Sequence, residues 1–188
     1  MIIYLLRHEK RFPIPTFFTT LTTEGHDNTQ ALSEKINIIN PDIIISSPFL
    51  RCIQTIYPYA ITYKKKVNID YALYEFLEDP LFTKNNYKHD HSELYEKYPD
   101  CKNIINEEYQ PYITIDHITF PEHTFGELNK RLLPFIKYLQ KTYSRTNIKI
   151  LIVSHMSVIS SIKEYIKTGQ PSTRDIYYPM GHIEKMTL

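Results

Sequence analysis

Apolar residues fall along the chain in two alternating rhythms. Short runs, IIYLL (2–6), DIIIS (42–46), VNID (67–70), IKILIVS (148–154) and HIEKMTL (182–188), read as strands, the first buried and IKILIVS the most apolar. Longer amphipathic stretches lie between them and read as helices. TEGHDNTQALSEKINII (23–39) carries apolar positions at Ala31, Leu32, Ile36 and Ile39. SPFLRCIQTIYPYA (47–60) has Ser47 as N-cap and Pro48 at the first helical position. FGELNKRLLPFIKYLQKTY (125–143) is a long helix, interrupted or kinked near Pro134, and MSVISSIKEYIK (156–167) is the last. This alternation predicts an α/β fold: a three-layer sandwich with a mainly parallel central sheet and helices on both faces.

The rhythm lapses between Glu75 and Pro121, a segment rich in Tyr and Asn that carries Pro80, Pro99 and Pro111. It is too long for an idle loop, and reads as an inserted lid, about 76–121, over the active face of a single domain spanning 1–188. Lid tyrosines at 74, 87, 95, 98, 109 and 112 either fill that insertion's own core or line an aromatic-accepting cleft.

Composition removes several classes of function. Lys plus Arg is 22 against 21 Asp plus Glu, a net charge of +1, without the basic excess of a nucleic-acid or membrane-surface binder. The run Lys64-Lys65-Lys66 reads as a solvated turn. Two cysteines, Cys52 and Cys101, make neither a disulfide framework nor a four-thiolate zinc site. Without a leader-like opening or a membrane-length apolar run, the expected location is the cytoplasm.

Three strand ends carry the candidate chemistry. The first ends in Arg7-His8, the second leads into SSPFLRCIQT with Arg51, and ILIVS ends at His155. Ligands of open α/β sheets bind beyond the carboxyl ends of the strands, so these cations converge there. Two arginines and two histidines suit a dianion, and guanidinium groups match phosphate bidentately. The helix N-terminus after His155 adds oriented N–H groups.

YLLRHEK, PDIIISSPFLRCIQT, YALYEF and ILIVSHMSVI together resemble the ordered motifs of the histidine phosphatase (phosphoglycerate-mutase-like) superfamily over nearly the whole chain. The resemblance implies a metal-independent phosphomonoesterase without cofactor. His8 would form a phosphohistidine, Arg7, Arg51 and His155 would bind the phosphoryl oxygens, and Glu75 would be general acid/base, with Glu78 the competing acid. Its substrates would be small-molecule or protein phosphomonoesters. Arg11, ALYEF and SHMSVI also resemble the branch containing the T-cell-receptor-signalling suppressor tyrosine phosphatases and an insect steroid-phosphate phosphatase. That likeness would add Arg11 to the phosphate set; otherwise Arg11 is a solvated charge. Glu122 resembles the acid that often precedes the long helix, close behind the site.

Two positions depart from the family pattern: Glu9 stands where Gly is usual, and Lys10 where Glu or Gln is common. Rival readings are therefore a phosphoglycerate mutase, or a phosphate-binding pseudoenzyme in which Glu9 has ended turnover. A metal site built on His89 and His91 with Cys101, His117 or His123 is a third reading. Cys52 has no Arg six residues on and reads as core packing, and no glycine cluster offers a nucleotide cradle.

Overall fold

Strands β1 (Ile2–Arg7), β2 (Ile43–Ser46), β3 (Asn68–Ile69), β4 (Lys149–Ser154) and β5 (Ile183–Thr187) form one sheet in the order β3-β2-β4-β1-β5. The computed structural model describes residues 1–78, 81–82 and 88–187, so Pro80, Tyr87 and Leu188 lie outside the described residues. All pairings are parallel except that of β5 with β1. Helices α1 (Thr23–Ile39) and α2 (Leu50–Thr62) pack against each other, as do two further helices, Phe125–Tyr143 and Met156–Thr168.

Crossover handedness sorts these helices. The moves from β1 to β2 and from β2 to β3 step one way along the sheet, while the return from β3 to β4 steps the other. Right-handed connections therefore put α1 and α2 on one face and the later pair on the opposite face. This is the predicted three-layer α/β arrangement.

Local chemistry explains where elements begin and end. The Thr22 hydroxyl accepts from the Gly25 N–H and opens α1, and Asn40 closes it in the left-handed region at φ 48°. Within α1 the buried face runs through Gly25, Thr29, Leu32, Ser33 and Ile36, so Ala31 is exposed rather than inward. Helix α2 starts later than the SPF signal suggests: Phe49, not Ser47, is its cap residue, because the Ser47 side chain is engaged elsewhere. Pro134 does not interrupt its helix, which is continuous from Phe125 to Tyr143. Pro134 is exposed, and so is Lys130, whose carbonyl it leaves without an intrahelical donor, so solvent can satisfy that group.

The lid contains a short helix α3 (Glu93–Lys97) and 3-10 turns at Pro99–Asn103 and Ile115–His117. We number the long helix Phe125–Tyr143 as α4 and Met156–Thr168 as α5. Lid residues Leu77, Phe82, Leu94, Cys101, Ile104, Ile105 and Ile118 join the same buried cluster as the strands. Asp70, fully buried just past β3, ties the lid down by accepting from Tyr109 Oη at 2.9 Å and the Tyr112 N–H at 2.7 Å. Of the lysine run, Lys65 Nζ reaches Asn40 and Lys66 Nζ donates to the Asn103 carbonyl, so two of the three fasten neighbouring segments.

Candidate active site

Arg7 pairs with Ser154 and Ser46 with Val153 at the ends of three adjacent strands, which brings the following residues to one edge. The ladder runs slightly further: the His8 N–H donates to the Ser154 carbonyl and the Ser47 N–H to the Val153 carbonyl. His8 is buried, and its Nδ1 lies 2.8 Å from the Glu9 carbonyl oxygen. A carbonyl can only accept, so Nδ1 carries the hydrogen and Nε2 keeps its lone pair.

Arg51, near the start of α2, has no exposed surface. Its Nη1 donates to the Thr16 carbonyl at 2.9 Å, its Nη2 to Glu75 Oε2 at 3.1 Å, and its guanidinium lies 4.4 Å from the Phe49 ring centroid. His155 caps α5 and is equally buried, its ring 5.4 Å from that of His8. Ser47 Oγ, which accepts from the Phe49 N–H, lies 2.8 Å from His155 Nε2. That arrangement turns His155 Nδ1 toward Glu75 Oε2, at 3.1 Å, within ion-pair reach but outside hydrogen-bond alignment.

Arg7, His8, Arg11 and Glu75 line one cavity of about 190 Å³, together with Pro13, Pro15, Phe76, Leu81, Phe82, Met156 and Ser157. Arg51 and His155 sit behind it, on Glu75. The six residues singled out by sequence are thus brought to one place. Arg7 Nη1 donates to the Tyr178 carbonyl at 2.6 Å, and Arg11 Nη1 to the carbonyls of Phe12 and Pro13, each at 2.7 Å. Among the described residues, Arg7 Nε, Arg51 Nε and His155 Nδ1 have no hydrogen-bond partner. Glu78, the competing acid, lines the same cavity but is exposed and has none of these cationic contacts among the described residues. Among the described residues no tyrosine lines this cavity; Tyr74 is fully buried in the core instead, and Tyr112 stacks on Tyr138.

Burial sets the charges. It pushes His8 well below the ordinary imidazole range, reinforced by Arg51, and pushes His155 down to about 4. Burial alone would raise the Glu75 carboxyl, but His155, Arg51 and His8 outweigh it and hold it well below the usual carboxylate range. With His155 neutral near pH 7, the permanent charge on Arg51 is the cation that keeps Glu75 ionised. The Cys52 thiol, 3.7 Å from His155 Nε2, is pushed up to about 12 by burial and is inert packing.

A buried ion pair positions Glu75. Arg131 Nε lies 2.7 Å from Glu122 Oε1, and its Nη1 and Nη2 donate to the carbonyls of Ala72 and Glu75, each at 2.8 Å. Glu122 Oε2 in turn accepts the Leu77 N–H at 3.0 Å. Sequence had pointed to Glu122 but missed Arg131 and Ser47. Arg131 leaves a signal, since it falls three residues after Leu128 on the buried face of α4. Ser47 leaves none distinct from a helix cap.

Glu9, the departure from the family pattern, points away from the cavity. The residue is 5% exposed, and its carboxylate accepts from the Lys10 N–H and Asn28 Nδ2. Lys10 Nζ pairs with Glu24 outside the site.

Ligand atoms of His8, Glu75 and His155 lie within 4.8 Å of one another, a spacing that could hold a metal ion. Arg51 already occupies Glu75 Oε2, and its charge opposes a second cation there. The other metal reading is not assembled among the described residues. His89 Nδ1 pairs with Glu93, His91 Nδ1 with Tyr71, and His117 Nδ1 with Thr114.

Among curated proteins no relative matches significantly. Solved structures do. The ecdysone phosphate phosphatase from Bombix mori, solved with tungstate, superimposes with a TM-score of 0.71 at 14% identity, covering 98% of this chain and 88% of that one. A mycobacterial glucosyl-3-phosphoglycerate phosphatase complexed with VO3 gives 0.66 at 15% identity, with 98% and 91% covered. The alpha-ribazole phosphatase from Shigella flexneri gives 0.63 at 20%, with 98% and 89% covered. At these identities the likeness is one of fold. The sequence profile of the histidine phosphatase superfamily (branch 1) matches residues 18–184, which include Arg51, Glu75 and His155 and begin after His8. With that match over most of its length, the chain belongs to the histidine phosphatase superfamily, branch 1.

Proposed function

We propose that the protein is a metal-independent phosphomonoester hydrolase that works through a phosphohistidine on His8. The observation that carries this reading is the His8 imidazole, buried and neutral, its Nδ1 held by the Glu9 carbonyl and its Nε2 left as a nucleophile beside the cationic cavity. Arg7, Arg11, Arg51 and His155, with the N-terminus of α5 at Met156 and Ser157, would meet the phosphoryl oxygens. Nε2 attacks phosphorus as the bond to the leaving oxygen breaks, and Glu75 gives that oxygen its proton. Water then attacks phosphorus, Glu75 takes the water's proton, the P–N bond breaks, and neutral His8 and phosphate result.

Glu75 is ionised in the free protein, so it must gain a proton before it can act as an acid. A bound dianion supplies the cause: it competes for Arg51 and adds negative charge beside the carboxylate, and both raise its proton affinity. The outward course of Glu9 favours hydrolase over pseudoenzyme. A reducing compartment such as the cytoplasm suits two free, buried cysteines, and no helix among the described residues is long and apolar enough to cross a membrane.

The test is hydrolysis of p-nitrophenyl phosphate in EDTA, with acid-labile phosphate labelling of the protein, for wild type and His8→Ala. We expect turnover and label in the wild type, and loss of label with a fall of about a thousandfold or more in the variant. EDTA-sensitive turnover surviving in His8→Ala would replace this reading with a metal site. A folded wild type that binds vanadate without turnover would leave a phosphate-binding protein.

A further inference from the structure

Glu9 touches His8 through its carbonyl and is itself held at two further points. Its carbonyl accepts from His8 Nδ1, its N–H donates to Thr55 Oγ1 at 2.9 Å, and its carboxylate is anchored to Asn28 Nδ2 of α1 at 3.3 Å and to the Lys10 N–H at 3.2 Å. The other side of that carboxylate faces the backbone of Gly181. A Cβ built on Gly181 would overlap the Glu9 carboxylate carbon and Oε1, closer than atoms can pack. Gly181 is itself tied to the site, its N–H shared between the carbonyls of Arg7 at 3.1 Å and His8 at 3.3 Å. The carboxylate is thus bracketed between a helix and a glycine, both fixed with respect to the end of β1.

We propose that Glu9 is a positioning residue for His8, and that Gly181 provides the space that its side chain requires. The anchored side chain fixes the orientation of the Glu9 peptide, and that carbonyl alone decides which imidazole nitrogen carries the hydrogen. In a protein with glycine after the histidine, the carbonyl would be steered by backbone contacts only. Here a buried carboxylate performs that task, and the absence of a side chain on Gly181 is its complement. The inference rests on His8 as the nucleophile, but its first readout, the imidazole tautomer, does not need turnover.

The experiment compares wild type, Glu9→Gln, Glu9→Gly, Gly181→Ala and the double variant Glu9→Gly/Gly181→Ala. Long-range 1H–15N spectra report the His8 tautomer, and p-nitrophenyl phosphate kinetics report kcat and KM. Wild type and Glu9→Gln, which keeps shape and an acceptor, should show hydrogen on Nδ1. Glu9→Gly should show a tautomer mixture and a several-fold lower kcat. Gly181→Ala should lose about ten- to a hundredfold in kcat with little change in KM, as expected for a displaced nucleophile. A methyl group on Gly181 also strains a backbone at φ +67°, but that strain is shared by the double variant. Recovery of the double variant to the level of Glu9→Gly would therefore assign the loss to the overlap with Glu9.

Equal impairment of Gly181→Ala and the double variant would overturn the pairing. A wild-type tautomer and kcat in Glu9→Gly would overturn the positioning role. If Gly181→Ala does not fold, the Glu9 variants still decide that role. If the wild type proves not to be a phosphatase, the tautomer spectra still decide it, which separates failure here from failure of the proposed function.

Discussion

His8 and His155 are kept neutral by burial and Glu75 is kept ionised by Arg51, and both choices have a pH signature. An ordinary imidazole loses its lone pair as pH falls through about 6.5. His8 lies well below that value, so with His8 as the proposed nucleophile its lone pair survives further into acid, and the acid limb of kcat/KM should lie below pH 6.5 once the substrate's own ionisation is taken out. A limb at or above 6.5 would mean a solvated His8. Stability carries the same sign. His155 binds its proton near 6.5 when unfolded and near 4 when folded, so between those values the unfolded chain holds more protons and stability falls as pH drops. Glu75, also depressed, contributes stability that is lost as pH falls. Thermal melts from pH 7 to 4.5 should show this slope, and His155→Gln should flatten it; an unchanged slope would rule out His155 as a source. His8 and His155 were legible in the sequence because each directly follows a strand, whereas Glu75, beyond β3 and a 3-10 turn, was legible only through the likeness of ALYEF to the family motif. Ser47 was not, because one serine before a helix reads the same whether it caps the helix or binds a histidine.

Secondary structure was legible where the apolar period was long and bounded by caps. Both ends of α1 and of α4 match the sequence reading, with a Thr22 cap on one and a Thr124–Glu127 capping box on the other. The start of α2 was misread because the Ser-Pro signal describes local preference, whereas Ser47 is held by His155 across the sheet. The lid was readable only as a departure from rhythm. Its contacts with the main fold run through scattered apolar side chains such as Leu94, Ile104 and Ile118 and single polar groups such as Asp70 and Glu122, which leave no periodic trace. The Glu122–Arg131 pair shows how much one such contact carries, because it grips the backbone on both sides of Glu75. Glu122→Gln removes one charge and leaves Arg131 buried without its partner, a loss of about 3–5 kcal/mol in pairs of this kind. We expect denaturant melts to show a loss of that order. In the folded fraction kcat should fall more than KM rises, because the displaced group, Glu75, is the proposed proton donor rather than one of the proposed phosphate ligands. A fall in stability with unchanged kcat would make the pair structural only.

For the molecule as a whole, a net charge of +1 hides a strong local asymmetry. Arg7 and Arg11 line the cavity where a phosphoryl group would dock and Arg51 sits behind them, while Pro13, Pro15, Phe76, Leu81 and Phe82 line the same cavity with two exposed acids, Glu78 and Asp175. Among the described residues no lysine lines this cavity. The cavity therefore sets these cations beside an apolar wall and two carboxylates, one of which, Asp175, is near enough to Arg7 to bear on its charge. A neutral leaving group can lie on that wall, whereas a second anion, such as the carboxylate of a phosphoglycerate, approaches two like charges. At a wet cavity mouth each unit repulsion over about 6 Å is worth roughly threefold in association, so the two together give about tenfold. This argues for a hydrolase of phosphomonoesters with neutral leaving groups rather than a mutase of sugar acids. The measurement is kcat/KM for p-nitrophenyl phosphate and 3-phosphoglycerate in wild type and Glu78→Gln/Asp175→Asn. Wild type should favour the neutral leaving group. The double variant should raise the value for 3-phosphoglycerate about tenfold more than for p-nitrophenyl phosphate at low ionic strength, and 0.5 M salt, on the order of a few ångströms of screening length, should erase most of that gain. Efficient use of 3-phosphoglycerate by the wild type, insensitive to both acids, would instead mean that Arg11 takes the carboxylate and that the mutase reading is the correct one.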